Sequence, residues 1–147
     1  MLFVIAAVSA TRDSKKIAEN VAQRMTALET KYESYVEKYM TKHVLKDQNL
    51  EIDMDLLVID VMEYLKPDVD GILALINSTI YSSVTLDCES EYFPNIVALS
   101  EDYFRQSQKN KSKRLSEEEV ANFNNTLQDA VVADLKGRML RLEMGDL

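Results

Sequence analysis

From Ser14 to about Leu45 the chain carries no glycine and no proline, and its larger apolar residues recur at a helical interval. Val21, Met25, Leu28, Tyr32, Tyr35 and Tyr39 are spaced by alternating steps of four and three, which places them along one side of an α-helix as a heptad-like seam. A helix of some thirty residues would be about 45 Å long, longer than a compact domain of this size is wide. Such a helix must bend, or project and meet a partner. The seam runs for only two to three heptads, so packing inside a bundle is a simpler reading than a free-standing coiled coil. Met25, Leu28, Tyr32, Tyr35 and Tyr39 are nevertheless the candidate contact residues if a partner helix is involved.

Breakers are as scarce elsewhere. The whole chain has three glycines and two prolines in 147 residues, whereas average usage would give about ten and about seven. Few turns imply few, long elements. Hydrophobic residues at 46% and charged residues at 29% suit a folded chain and argue against global disorder. The length fits a single helical domain over 1–147 with a core of its own.

The run IDMDLLVIDVMEYL has Met54, Leu57, Val58, Val61, Met62 and Leu65 at helical period, and strand alternation cannot account for four adjacent apolar residues from Leu56 to Ile59. Apolar residues on more than one face mark this as the central helix. Pro67 is expected to end it, with a restart at Asp68 or Asp70 as cap and Ile72, Leu73, Leu75, Ile76 and Ile80 facing inward. Pro94 suits a first helical turn, and Phe93, Ile96, Val97, Tyr103 and Phe104 make a short apolar face. Ser116 with Glu119 forms a capping box ahead of a helix from Glu117 to about Leu142, on which Val120, Phe123, Leu127, Val131, Leu135 and Met139 recur every three or four residues. Lys136, Arg138 and Arg141 complement the dipole at its far end. The expected fold is all-α, an antiparallel bundle of about five helices with a long N-terminal helix.

The opening MLFVIAAVSATRDSKK is open to several readings. An export signal would use Leu2 to Ala7 and the small residues Val8-Ser9-Ala10, but no Lys or Arg precedes the apolar run. With a lone cysteine and no disulfide framework, a cytoplasmic, reducing location is expected. No stretch reaches the 18 or more apolar residues of a membrane span. Residues 2–8 are the first turns of the long helix, or a short apolar segment pressed onto the bundle ahead of a helix capped at Ser9, Thr11 or Ser14, or a short strand feeding a Ser9–Ser14 loop. In the strand reading this stretch resembles, over about twenty residues, the first loop of the NADPH-dependent FMN reductases, a Ser/Thr-rich turn with an Arg ahead of a helix. The chain has Ser9 and Ala10 where that family has a Gly-Ser pair, and no further strands follow from which to build a parallel sheet. The resemblance implies a small flavin- or nucleotide-binding enzyme, with Arg12 as phosphate partner and Ser9 or Thr11 as donors.

Catalytic and metal chemistry find little purchase. His43 is the only histidine, with no Glu placed to form a Glu-x-x-His pair. Cys88 lies between Asp87 and Glu89, which would raise rather than lower its pKa. Asp68-Val69-Asp70-Gly71 glances at a calcium loop, but the register puts Lys66 and Asn77 where oxygen ligands are needed. Asp53, Asp55 and Asp60 read as cap and edge charges. No cofactor is expected.

The net charge of −8 disfavours binding to phosphate backbones. Locally the balance reverses: Arg105, Lys109, Lys111, Lys113 and Arg114 fall within ten residues with no acid among them, a solvated loop or a docking patch for an anionic surface. The composite expectation is a non-enzymatic, acidic helical subunit that contacts another protein or itself. Viral or phage assembly factors and small regulators are the type, with an acidic inhibitor of a nucleic-acid enzyme as a variant.

Overall fold

A computed structural model describes the backbone of residues 2–44, 53–78, 86–109 and 114–143, and the side chains of 15–42, 53–78, 86–105 and 114–141. It has four α-helices and no strand among these residues: α1 (Leu2–Tyr39), α2 (Met54–Asn77), α3 (Pro94–Lys109) and α4 (Glu117–Glu143). A π-helical turn, Met40–Val44, continues α1. The all-α expectation holds, with four helices in place of about five.

The difference lies at Pro67, which sits inside α2. An interior proline costs about 3 kcal/mol through the missing N–H and the clash with the preceding turn. Leu65, Val69, Ile72, Leu73 and Ile76 are buried on both sides of it, and each such side chain contributes about 1.5–3 kcal/mol. Burial outweighs the local penalty, and the helix runs through. Its N-cap is Asp53, whose carboxylate accepts from the Leu56 N–H at 3.2 Å. Asp68, expected as a cap, is instead buried mid-helix and accepts from Lys31 Nζ of α1 at 3.1 and 3.2 Å. Asp70 pairs with Lys66 at 2.8 Å. Ile80 lies outside the described residues.

The opening is also helical. Residues 2–8 form the first turns of α1 rather than a strand, and Ser9, Thr11 and Ser14 lie within the helix, not at its cap. Without a neighbouring strand among the described residues, an extended segment would leave its backbone groups unpaired, whereas a helix satisfies them internally. The strand-loop-helix arrangement behind the flavin reading is therefore absent there.

Arg24 lies over Gly71, Lys31 meets Asp68, and Tyr35 stacks near Tyr64 with ring centroids 5.0 Å apart. Rising numbers on α1 match falling numbers on α2, so the two run antiparallel. The helix α2 touches α1, α3 and α4 and is the central element. At its end Asn77 Oδ1 accepts from the Leu115 N–H at 2.8 Å, which ties it to the lead-in of α4. The capping box closes as expected, with Ser116 N–H on Glu119 Oε1 at 3.0 Å and Glu119 N–H on Ser116 Oγ at 3.1 Å. Phe123, Leu127, Val131 and Leu135 then bury one side of α4, and Phe93, Ile96, Val97, Tyr103 and Phe104 bury one side of α3 and its lead-in.

The seam on α1 is Ala18, Val21, Met25, Leu28, Tyr32, Val36 and Met40, all buried. It follows the expected line as far as Tyr32 and then takes steps of four. A straight helix drifts about 20° per heptad against a strict 3.5-residue repeat, so a long buried stripe must add a four-residue step to stay facing its neighbours. Tyr35 and Tyr39 fall to the edge, half-buried.

Candidate functional site

The densest set of polar side chains lies where α1, α4 and the segment from Leu86 to Phe93 meet. The Tyr32 hydroxyl donates to Asp134 of α4. Asp134 also accepts from Arg138 Nε at 2.8 Å, one helical turn on, and the two side chains are only 15% and 14% exposed. The Arg138 guanidinium lies 5.4 Å from the centre of the Tyr92 ring, and the Tyr92 hydroxyl donates to Glu33 at 3.1 Å. Tyr32, Tyr92 and Phe93 pack edge to face with centroids 5.1 to 6.3 Å apart. One turn before Glu33, Glu29 Oε1 accepts from the backbone N–H of Glu91 at 2.7 Å and of Tyr92 at 2.8 Å. A stripe of α1 beside its apolar seam thus holds a strand-less segment in place by hydrogen bonds.

Burial first, and then the bond to Asp134, pushes the Tyr32 hydroxyl far above its ordinary pKa, with Arg138 pulling weakly the other way. Burial lowers and Asp134 raises the pKa of Arg138, and the net direction is up. Both effects strengthen the states in which phenol donates and guanidinium is charged. Each polar group here has its partner inside the protein, an arrangement that fixes the approach of α1 to α4 and offers no unpaired base or nucleophile.

Between α3 and α4 lies an open cleft of about 600 Å³, with Leu99 and Tyr103 at its apolar side and Asp102, Glu118, Glu119, Asn122 and Asn125 around it. The Tyr103 hydroxyl donates to the Glu119 carbonyl at 2.6 Å, and Glu119 is engaged in the capping box. Among the described residues no three His, Cys, Asp or Glu side chains gather as a metal site.

The expected contact residues divide. Met25, Leu28 and Tyr32 are fully packed in the core of this chain, where they join α1 to its own bundle and present nothing outward. Tyr35 and Tyr39 border that core. Of the basic cluster, Arg105 is exposed and lies 3.8 Å from Glu101 and 3.4 Å from Asp102, so acids of its own helix offset its charge. Arg114 is exposed. Lys111 and Lys113 lie outside the described residues, as do the side chains of Lys109 and His43. Cys88 donates weakly to the Ala22 carbonyl at 3.8 Å, and burial, then Glu29 and Asp87, pushes its thiol up, against a lowering bond from Thr26.

What the spacing alone did not single out is the outer side of α2. Leu56 is 58% exposed and Ile59 51%, while Tyr64, further along the helix, is 46% exposed on the flank that meets Tyr35 of α1. Asp55, Asp60 and Glu63 surround Leu56 and Ile59, also exposed. The signal was present in the four consecutive apolar residues from Leu56 to Ile59, because turning 100° per residue a helix cannot bury them all. On α4, Leu140 is 57% exposed between Lys136 and Arg141. No helix among the described residues is long and apolar enough to cross a membrane. Compared with protein-family models, curated proteins and solved structures, the chain matches none.

Proposed function

We propose that this chain is a non-catalytic, acidic helical subunit that works by presenting a helix face to a protein, either a second copy of itself or another chain. The observation that carries the reading is the outer side of α2, where Leu56 and Ile59 stand more than half exposed among Asp55, Asp60 and Glu63. Large apolar side chains grouped on a solvent face and rimmed by charge are what a contact surface offers a partner. The buried polar side chains near Tyr32, by contrast, are occupied with internal structure. An assembly factor or a small regulator fits this reading.

A variant within it is an acidic inhibitor that fills a basic groove on a nucleic-acid enzyme, favoured by the net charge of −8. Salt separates the two, since an interface built mainly on charge weakens steeply as ionic strength rises and an apolar one does not. Native mass spectrometry of the protein isolated from its own source at near-physiological salt tests the reading. A mass that is a multiple of 16.8 kDa, or a sum with a second protein, supports it. A monomer carrying a flavin- or nucleotide-sized increment would overturn it.

A further inference from the structure

We infer that the partner is a second copy of this chain, docked reciprocally so that the acidic apolar face of α2 in each copy meets the basic apolar end of α4 in the other. The inference rests on the interaction reading above and names its occupant. Among the described side chains, two exposed apolar sites carry opposite rims. Leu56 and Ile59 lie among Asp55, Asp60 and Glu63, and none of these three acids has an ion-pair partner among the described residues. Leu140 lies between Lys136 and Arg141, which are likewise without an acidic partner there. Apolar centre against apolar centre, with acids facing bases, is the complementarity that sets register and rejects like-charged approaches.

The placement of the two faces favours a closed pair over an open filament. The end of α2 meets the lead-in of α4 through Asn77 and Leu115, and α4 then runs back along the bundle to reach Tyr32 with Asp134. Tyr35, one turn beyond Tyr32, stacks against Tyr64, so the first half of α2 and the last turns of α4 share one end of the molecule. Both apolar sites there point away from the core. With both faces at one end, a twofold axis can satisfy the two contacts at once. Area argues the same way. One helix face about 20 Å long and about 10 Å wide falls well short of the roughly 800 Å² per partner buried in a stable complex. Using both faces of each copy doubles this to about 400 Å², still below that size, so the product is a weak dimer that dissociates on dilution.

The test uses charge exchange at exposed positions. One variant carries Asp60→Lys with Glu63→Lys, the other Lys136→Glu with Arg141→Glu, and circular dichroism with a thermal melt confirms that each remains folded. Sedimentation velocity of the intact chain between about 1 and about 100 µM is expected to show a concentration-dependent dimer, with each variant weakened about tenfold or more in dissociation constant. Mixing the two variants should restore the dimer, because the basic α2 face of one then meets the acidic α4 end of the other while the native pair forms opposite. A monomer throughout the range, a dimer indifferent to both exchanges, or failure of the mixture to recover would overturn the second copy as partner. In the first of those cases, a stoichiometric complex with a different protein in the native mass spectrum would leave the broader interaction reading standing. A monomer that is also unpartnered when isolated from source would overturn both.

Discussion

Tyr32 of α1 donates its phenolic hydrogen to Asp134 of α4, a bond between residues 102 positions apart in the chain. The same carboxylate oxygen takes the Arg138 Nε–H, so one acid holds a phenol and a guanidinium together at the edge of the aromatic group formed by Tyr32, Tyr92 and Phe93. The first and last helices are thereby joined through a point that hydrophobic burial alone would leave free to slide.

Removing the two ends of that bond should have unequal effects. Tyr32→Phe deletes one hydrogen bond to a charged group while Asp134 keeps Arg138, and should cost about 1–3 kcal/mol. Asp134→Ala leaves a largely buried guanidinium without its carboxylate and a phenol without an acceptor, and should cost about 3–5 kcal/mol. Urea unfolding at neutral pH, compared at constant m-value, checks the order. Equal losses would mean that Arg138 finds another partner or water when Asp134 is gone.

Alkaline pH should unfold this protein through its tyrosines. Burial is the leading cause that pushes Tyr32, Tyr35, Tyr39, Tyr92 and Tyr103 upward from the ordinary tyrosine value, which is about 10. Above that pH the unfolded chain loses phenolic protons that the folded chain retains, so the folded state binds more protons and stability falls as pH rises. Below it the stabilisation is fully present. For the fully buried Tyr32 the decline is about 1.4 kcal/mol per pH unit once the unfolded phenol has ionised. Stability measured at intervals from pH 9 upward should drop less steeply in Tyr32→Phe, by about one proton. Parallel slopes would show that Tyr32 ionises in the folded state as easily as in the unfolded one.

The elements that could be read from the sequence are those whose signals are local. The Ser116 and Glu119 capping box, Pro94 in a first turn and the apolar steps of α4 each depend on residues a few positions apart, and each appears as expected. Pro67 reads as a helix end in the sequence because its local penalty is visible there and the burial that overrides it is not. Asp134 and Arg138 stand one turn apart and could have been paired, but nothing nearby in the chain announces Tyr32 as the third member. For the same reason, periodicity identified Met25, Leu28 and Tyr32 as a seam without saying whether the partner lay inside or outside the molecule.

Pro67 is exposed, and its missing N–H deprives the Glu63 carbonyl of its helical donor. Pro67→Ala restores that bond and should stabilise the protein by about 1–3 kcal/mol, read as a higher melting temperature. A lower melting temperature would show that the buried residues of α2 pack on a bend that only proline maintains.

Two helical glycines make a second comparison. At Gly137 an added Cβ would find its nearest foreign atom, Arg141 Nη1, at 3.8 Å, an ordinary contact. Gly137→Ala should therefore gain the full helix-propensity difference, about 0.5–1 kcal/mol. At Gly71 the Cβ would stand 2.5 Å from Arg24 Nη1, the far end of a flexible side chain that must swing away. Gly71→Ala should gain less, and the gain should grow to match Gly137→Ala when made in an Arg24→Ala background. A double-mutant cycle by thermal denaturation measures that difference directly.

Glu29 is a place where one side chain supports a segment without regular structure through two backbone groups. Its Oε1 accepts both the Glu91 and Tyr92 N–H groups just before α3 begins. Hydrogen bonds to a charged acceptor are worth about 1.5–3 kcal/mol, and half-exposed donors recover part of the loss by turning to water. Glu29→Ala should cost about 1–3 kcal/mol and Glu29→Gln less, because the amide oxygen can still accept. Amide hydrogen exchange distinguishes this from a general loss of stability: protection at Glu91 and Tyr92 should fall more than at Phe123 or Leu127, deep in the core of α4. If all four lose protection equally, the two bonds to Glu29 follow the fold instead of holding the segment against α1.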